Sequence, residues 1–119
     1  NLAGRLSLKE LAALIQMSSA LICSDSVPLH IASALKTPVV ALFGPTSEIT
    51  WGPWRNPYAR IAMANMSCRP CYLDGCGGSK VCDCMQAIAV DQVLSELEVL
   101  AKIGAPGLRI IHELVDRPR

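Results

Sequence analysis

The sequence has few aromatic residues, almost no net charge and no long apolar run. Phenylalanine, tyrosine and tryptophan make up 4% of its 119 residues, and the formal net charge is +1. A nucleic-acid surface needs clustered lysine and arginine with stacking rings, so that class of partner is excluded. No apolar stretch approaches the roughly 18 to 20 residues that span a bilayer, and no charged segment leads into a signal-like core, so the expectation is a soluble protein. Internal repeats and low-complexity segments are also missing. The first residue is Asn1 and not Met, and Asn1-Leu2-Ala3-Gly4 reads as loop, which predicts a fragment of a longer protein.

What the sequence does have is core material, 51% hydrophobic against 18% charged residues. Ser7-Leu8-Lys9-Glu10 has capping-box spacing and predicts a helix to about Met17, with Leu8, Leu11, Leu14 and Ile15 packing on a sheet. Ala20-Leu21-Ile22-Cys23 and residues 38–43 are short continuous apolar runs, the pattern of strands buried on both faces, with a helix over 28–36 between them. Strand, helix, strand at this spacing predicts a right-handed βαβ unit and a parallel sheet. Gly44, Pro45, Gly52, Pro53 and Pro57 make 44–57 a long loop. Trp51 and Trp54 in it are expected to cover the sheet edge in preference to stacking on a ligand.

Residues 58–66 are predicted as a strand, 67–81 as a Cys- and Gly-rich loop and 84–88 as a helical turn. Asp91 is expected to cap a helix to about Ile103, with Val93, Leu94, Leu97, Leu100 and Ala101 inward and Asp91, Gln92, Glu96, Glu98 and Lys102 toward water. Gly104-Ala105-Pro106-Gly107 ends it; residues 108–115 form a further helix or strand, and Arg117-Pro118-Arg119 frays. The domain expectation is one unit over 1–103, incomplete at its N-terminus and carrying a Cys-rich loop at 67–84, followed by a tail over 104–119.

The stretch with the most chemical content is Ser24-Asp25-Ser26-Val27-Pro28-Leu29-His30, where a strand passes into a helix. In open α/β sheets such turns lie at the carboxyl edge, where helix N-terminal N–H groups bind anions. Pro28 suits a first helical turn, and Asp25 and Ser26 are N-cap residue types. Local chemistry alone leaves two readings open, an ordinary capped turn and an anion site.

The run Asp25-Ser26-Val27-Pro28-Leu29-His30-Ile31-Ala32-Ser33-Ala34, followed by Thr37-Pro38-Val39-Val40-Ala41-Leu42-Phe43-Gly44-Pro45-Thr46, resembles the C-terminal half of glycosyltransferase family 9, which contains the lipopolysaccharide heptosyltransferases. Asn1-Leu2-Ala3-Gly4, Ser7-Leu8-Lys9-Glu10-Leu11-Ala12-Ala13-Leu14-Ile15, Cys68-Arg69-Pro70-Cys71 and Cys84-Met85-Gln86-Ala87-Ile88 are similar to that family in the same order. The resemblance implies an α/β fold, a partial Rossmann-like parallel sheet with flanking helices that forms the C-terminal half of a GT-B glycosyltransferase. It implies transfer of heptose from ADP-heptose to a lipopolysaccharide core acceptor, with inversion and no cofactor beyond the donor. It places the protein in a bacterial cytoplasm, with peripheral contact on the inner face of the inner membrane.

By position, the resemblance sets Asp25, Ser26, Val27, Leu29 and His30 at the donor, with the backbone of Ser26, Val27 and Leu29 meeting the diphosphate, and Leu6 against the adenine. Gly44 and Thr46 are candidate loop contacts. The family's general base and acceptor site lie on an N-terminal domain outside these residues, so no catalytic residue is assigned, and Glu10, Glu48 and Asp74 are expected to be surface or capping carboxylates. The chain alone is expected to transfer no sugar and to self-associate through an unpaired sheet edge. Val27 departs from the family's glycine; a β-branched residue there resists φ > 0 and close approach to phosphate, which predicts weaker nucleotide binding.

Cys68, Cys71, Cys76, Cys82 and Cys84 pair tightly around a Gly-containing loop, a spacing compatible with zinc on Cys68, Cys71, Cys82 and Cys84. Free thiols are the preferred expectation in a reducing cytoplasm. Cys23, within a strand, is expected to be a small buried apolar residue. Two alternatives to the heptosyltransferase reading are another sugar-nucleotide enzyme of GT-B architecture, such as an epimerase, and a zinc-stabilised Cys-rich interaction module.

Overall fold

A computed structural model describes residues 1–108. Its order is α1 (Leu8–Met17), β1 (Leu21–Ser24), α2 (Val27–Leu35), β2 (Val39–Phe43), α3 (Glu48–Trp51), β3 (Ala59–Met63), a 3-10 turn (Cys76–Gly78), α4 (Asp83–Gln86) and α5 (Val90–Lys102). The three strands form one parallel sheet in the order β1-β2-β3, with Ser24 opposite Leu42 and Phe43 opposite Met63. The segments expected over 109–115 and at Arg117-Pro118-Arg119 lie outside the described residues.

Because strand side chains alternate, the central strand serves two cores. Val39, Ala41 and Phe43 join Ile15, Leu29 and Ala32 beneath α1 and α2. Val40 joins Ala62, Leu100 and Ala105 beneath α5, with Leu108 packed against them, so this core continues past residue 103. The capping box forms as its spacing predicts: Ser7 N–H donates to Glu10 Oε2 at 2.8 Å, and Glu10 N–H donates to Ser7 Oγ at 3.4 Å.

Several expectations need correction. Of the four residues assigned to the inner face of α1, Ile15 is buried and Leu11 partly so, whereas Leu8 and Leu14 are exposed, because α1 packs chiefly on α2. Among the described residues β1 lies at an edge of the sheet and is not covered on both faces, with Leu21 and Cys23 turned inward and Ile22 47% exposed. The 44–57 segment is not all loop: Ser47 accepts a hydrogen bond from Thr50 N–H and caps the one-turn α3, in the gap its breakers leave between Pro45 and Gly52. The 58–66 strand stops at Met63.

α5 begins before Asp91, at Val90, with Ala89 as its cap and Asp91 in its first turn. Its approach over β3 lays residues 92 and 96 across the edge strand instead of toward water. Gln92 Nε2 donates to Met63 O at 3.1 Å, and Arg60 Nε donates to Glu96 Oε2 at 2.6 Å. Leu94, expected inside, is exposed. Trp51 and Trp54 do not cover the sheet; both are exposed, and Trp54 stacks on Arg55 with the guanidinium carbon 4.5 Å from its ring centroid.

Candidate functional site

β1 delivers the chain to the carboxyl edge of the sheet, and α2 leaves from there. Ser26 is the N-cap, with extended backbone (φ −166°, ψ 175°), and Val27 opens the helix ahead of Pro28. The extended geometry that a following proline favours is therefore taken one residue earlier than the sequence predicts. Val27 has no positive φ, so the turn does not demand the conformation for which glycine is special. Val27 is 57% exposed at the mouth of the helix.

The capping chemistry also differs from expectation. Ser26 makes no side-chain cap; its hydroxyl donates backward to Ser24 O at 3.1 Å. Leu29 is not an available donor, because its N–H already donates to Ser26 O at 3.0 Å and its side chain is fully buried in the first core. The N–H groups of Ser26 and Val27 have no acceptor among the described residues, and Pro28 has none to offer. Two adjacent main-chain donors at the start of a nine-residue helix thus face the carboxyl edge unpaired.

Beside them, Asp25 Oδ1 lies 4.0 Å from His30 Nε2, one turn into α2. Asp25 makes no side-chain hydrogen bond to the helix start, whose N-cap is Ser26. Behind the turn, burial pushes the Cys23 thiol up to about 11, with a smaller contribution from the Asp25 charge, so Cys23 is held neutral as a packing residue. Leu6 is half-buried just ahead of the Ser7 cap.

The neighbouring loop is built around a residue that the sequence does not single out. Arg69 is 8% exposed and ties three segments together: Nε donates to Gly44 O at 2.6 Å, one terminal nitrogen to Ala64 O at 3.1 Å, and the other lies 3.3 Å from Glu48 Oε2. Glu48 is therefore neither a free surface carboxylate nor a cap, but the acid of a half-buried ion pair. The signal available in the sequence was an arginine inside Cys68-Arg69-Pro70-Cys71, a stretch with no acidic neighbour to neutralise it.

Gly44 is buried, and a β-carbon there would lie 2.5 Å from Met85 Cγ and 3.4 Å from Cys84 Sγ. The Cys-rich segment closes over it, with Cys71 and Tyr72 N–H both donating to Pro45 O at 3.0 Å. Gly44 thus serves that packing, while Thr46 is half-buried beside it. Among the described residues no three His, Cys, Asp or Glu side chains are grouped as a metal ion would need, and the six cysteines are free thiols. Burial, and then the nearby Cys82 and Cys76 thiols, raise the pKa of Cys84.

Comparison with known proteins matches this arrangement. The model for glycosyltransferase family 9 (heptosyltransferase) matches residues 1–81. The chain is 32% identical over 101 residues to lipooligosaccharide heptosyltransferase 2 of Campylobacter jejuni, covering 85% of this chain and 32% of that protein. It is 34% identical over 106 residues to lipopolysaccharide heptosyltransferase 3 of Escherichia coli, covering 89% of this chain and 30% of that protein. The structure of E. coli ADP-heptose lps heptosyltransferase II superposes with a TM-score of 0.66 at 31% identity, over 84% of this chain and 27% of that one. The chain spans about a third of the length of the curated relatives it matches. Its parallel sheet and flanking helices are the α/β, GT-B type arrangement that the sequence motifs imply. With the family model matched over more than half its length, the chain belongs to glycosyltransferase family 9, the heptosyltransferases.

Proposed function

We propose that a protein carrying this chain transfers heptose from ADP-heptose to a lipopolysaccharide core acceptor, and that the turn between β1 and α2 holds the donor's diphosphate. The observation that carries this reading is the pair of unpaired N–H groups, Ser26 and Val27, at the start of α2 on the carboxyl edge. Such donors are already oriented, so they stabilise the charge that grows on the departing diphosphate without reorganising. His30 stands on the same turn and adds a donor to a phosphate oxygen. Asp25 is left to accept hydrogen bonds from sugar hydroxyls.

Leu6 supplies an apolar face for the adenine, and the reaction draws on donor and acceptor alone. Among the described residues no helix is long and apolar enough to cross a membrane. A cytoplasmic enzyme that touches the inner membrane only peripherally fits that observation. The test is Asp25→Ala in the full-length protein, assayed with ADP-heptose and a core acceptor. Transfer is expected to fall at least tenfold while the melting temperature changes little. A large loss of melting temperature with unchanged specific activity would assign Asp25 to structure and remove it from the site.

A further inference from the structure

A cavity of about 520 Å³ opens between the first turn of α2 and the 48–56 loop, and nothing in the donor-binding turn accounts for it. That volume is within the range of small-molecule sites. It is lined by His30 of α2, by Glu48, Thr50, Trp54 and Arg55 of the 48–56 segment, and by Ala59 and Ile61 of β3. We infer that this cavity is a carbohydrate subsite, with the Trp54 indole as a platform for the apolar face of a sugar ring and the Glu48 carboxylate as acceptor for its hydroxyls.

Three observations carry the inference. Trp54 is 70% exposed even though the Arg55 guanidinium sits over its ring, so one face is occupied and fixed while the opposite face stays open. An exposed indole held by a cation–π contact is an oriented apolar surface, which suits the C–H face of a pyranose, and Arg55 adds a cation to the same lining. Glu48 offers Arg69 only Oε2; its Oε1 has no hydrogen-bond partner among the described residues, and the side chain remains 27% exposed. A carboxylate fixed through one oxygen and open at the other is a pre-placed acceptor, while the Thr50 hydroxyl, which donates to Ser47 Oγ at 3.3 Å, keeps its own lone pairs free.

The loop that carries these groups is fastened from below. Asn56 is buried and donates to Thr37 O at 2.9 Å, and Lys36 Nζ donates to Arg55 O at 2.7 Å, which holds the left-handed Arg55 backbone (φ 52°) in place. The platform is therefore anchored to the C-terminal end of α2 while His30 sits at its N-terminal end. Donor turn and cavity share His30, which lines the end of the cavity nearer the turn. The inference rests on the proposed transferase activity for the identity of its ligand, but not for the chemistry of the cavity.

The experiment titrates the full-length protein with ADP, with ADP-heptose and with a core oligosaccharide, in wild type and in Trp54→Ala, Trp54→Phe and Glu48→Gln. ADP affinity is expected to stay within twofold in every variant. Trp54→Ala and Glu48→Gln are expected to weaken one of the two sugar-bearing ligands at least tenfold, and Trp54→Phe, which keeps a ring, to recover most of that loss. Loss confined to ADP-heptose identifies the occupant as the donor's sugar; loss confined to the oligosaccharide identifies the acceptor. Unchanged binding of both, or an equal loss of ADP, overturns the inference. If wild type binds no ADP, the proposed donor turn fails, and the oligosaccharide titration alone decides the cavity.

Discussion

Replacing Arg69 with alanine is expected to cost about 3 kcal/mol of folding stability. The guanidinium is almost wholly buried and makes three bonds to three segments, at Gly44 O, Ala64 O and Glu48 Oε2. Hydrogen bonds from a charged donor contribute roughly 1.5 to 3 kcal/mol each, and the buried Gly44 carbonyl would be left without its partner. The three do not add in full, because they share one side chain, and Glu48 remains partly exposed and recovers water when released. These corrections bring the sum toward the lower end of the roughly 3 to 5 kcal/mol seen when a buried ion pair is broken.

A domain of this kind has only about 5 to 15 kcal/mol in total, so the change is a large fraction. Urea denaturation of wild type, Arg69→Ala and Arg69→Lys measures it. The alanine variant should unfold at a markedly lower midpoint with an unchanged slope, and its melting temperature should drop by on the order of 12 °C or more. Lysine, a single point donor, should fall between the two. A loss below about 1 kcal/mol for alanine would show that the three segments hold together without Arg69.

Other outcomes follow from the same structure. The Ser7 hydroxyl and backbone bonds hold the Glu10 carboxyl below its ordinary value, so capping-box stability is present above the unfolded pKa and is lost as pH falls through the folded one; Ser7→Ala should flatten the acid limb of a melting-temperature profile. Cys23, raised from 9.0 to about 11, stabilises the fold fully below pH about 9 and loses that contribution as pH rises toward about 11, so Cys23→Ala should remove part of the alkaline destabilisation. The same burial predicts that Cys23 reacts with a thiol reagent at pH 8 far more slowly than exposed Cys68. Val27→Gly in the full-length protein should tighten ADP binding by roughly 1 kcal/mol if removing the isopropyl group restores one hydrogen bond, as read by calorimetric titration. Unchanged or weaker binding would show that the side chain does not hold the phosphates off.

The sequence makes regular elements legible where period and capping agree. The capping box of α1, the strand–helix–strand unit and the amphipathic body of α5 all follow from local spacing. What it hides depends on partners distant in sequence. Ile22 belongs to a strong apolar run, and only the strand order reveals that its strand lies at an edge. Gln92 and Glu96 look like solvent residues until Met63 and Arg60 are brought beneath them. Arg69 and Glu48 are 21 residues apart, and no periodicity connects them. The strand-to-helix turn at 24–27 lies where the sequence places it, but its bonding does not follow from local spacing. Which N–H groups remain free depends on Ser26 serving as a backbone cap while its hydroxyl turns back to Ser24.

The claim that the turn between β1 and α2 binds a nucleoside diphosphate is tested most directly by titrating ADP into the 15N-labelled protein and following its backbone amides. If Ser26 and Val27 donate to the phosphates, their amide protons should move downfield and saturate together, with His30 ring signals following on the same curve. Saturating ADP that leaves Ser26 and Val27 unmoved would contradict the account, whatever other signals shift.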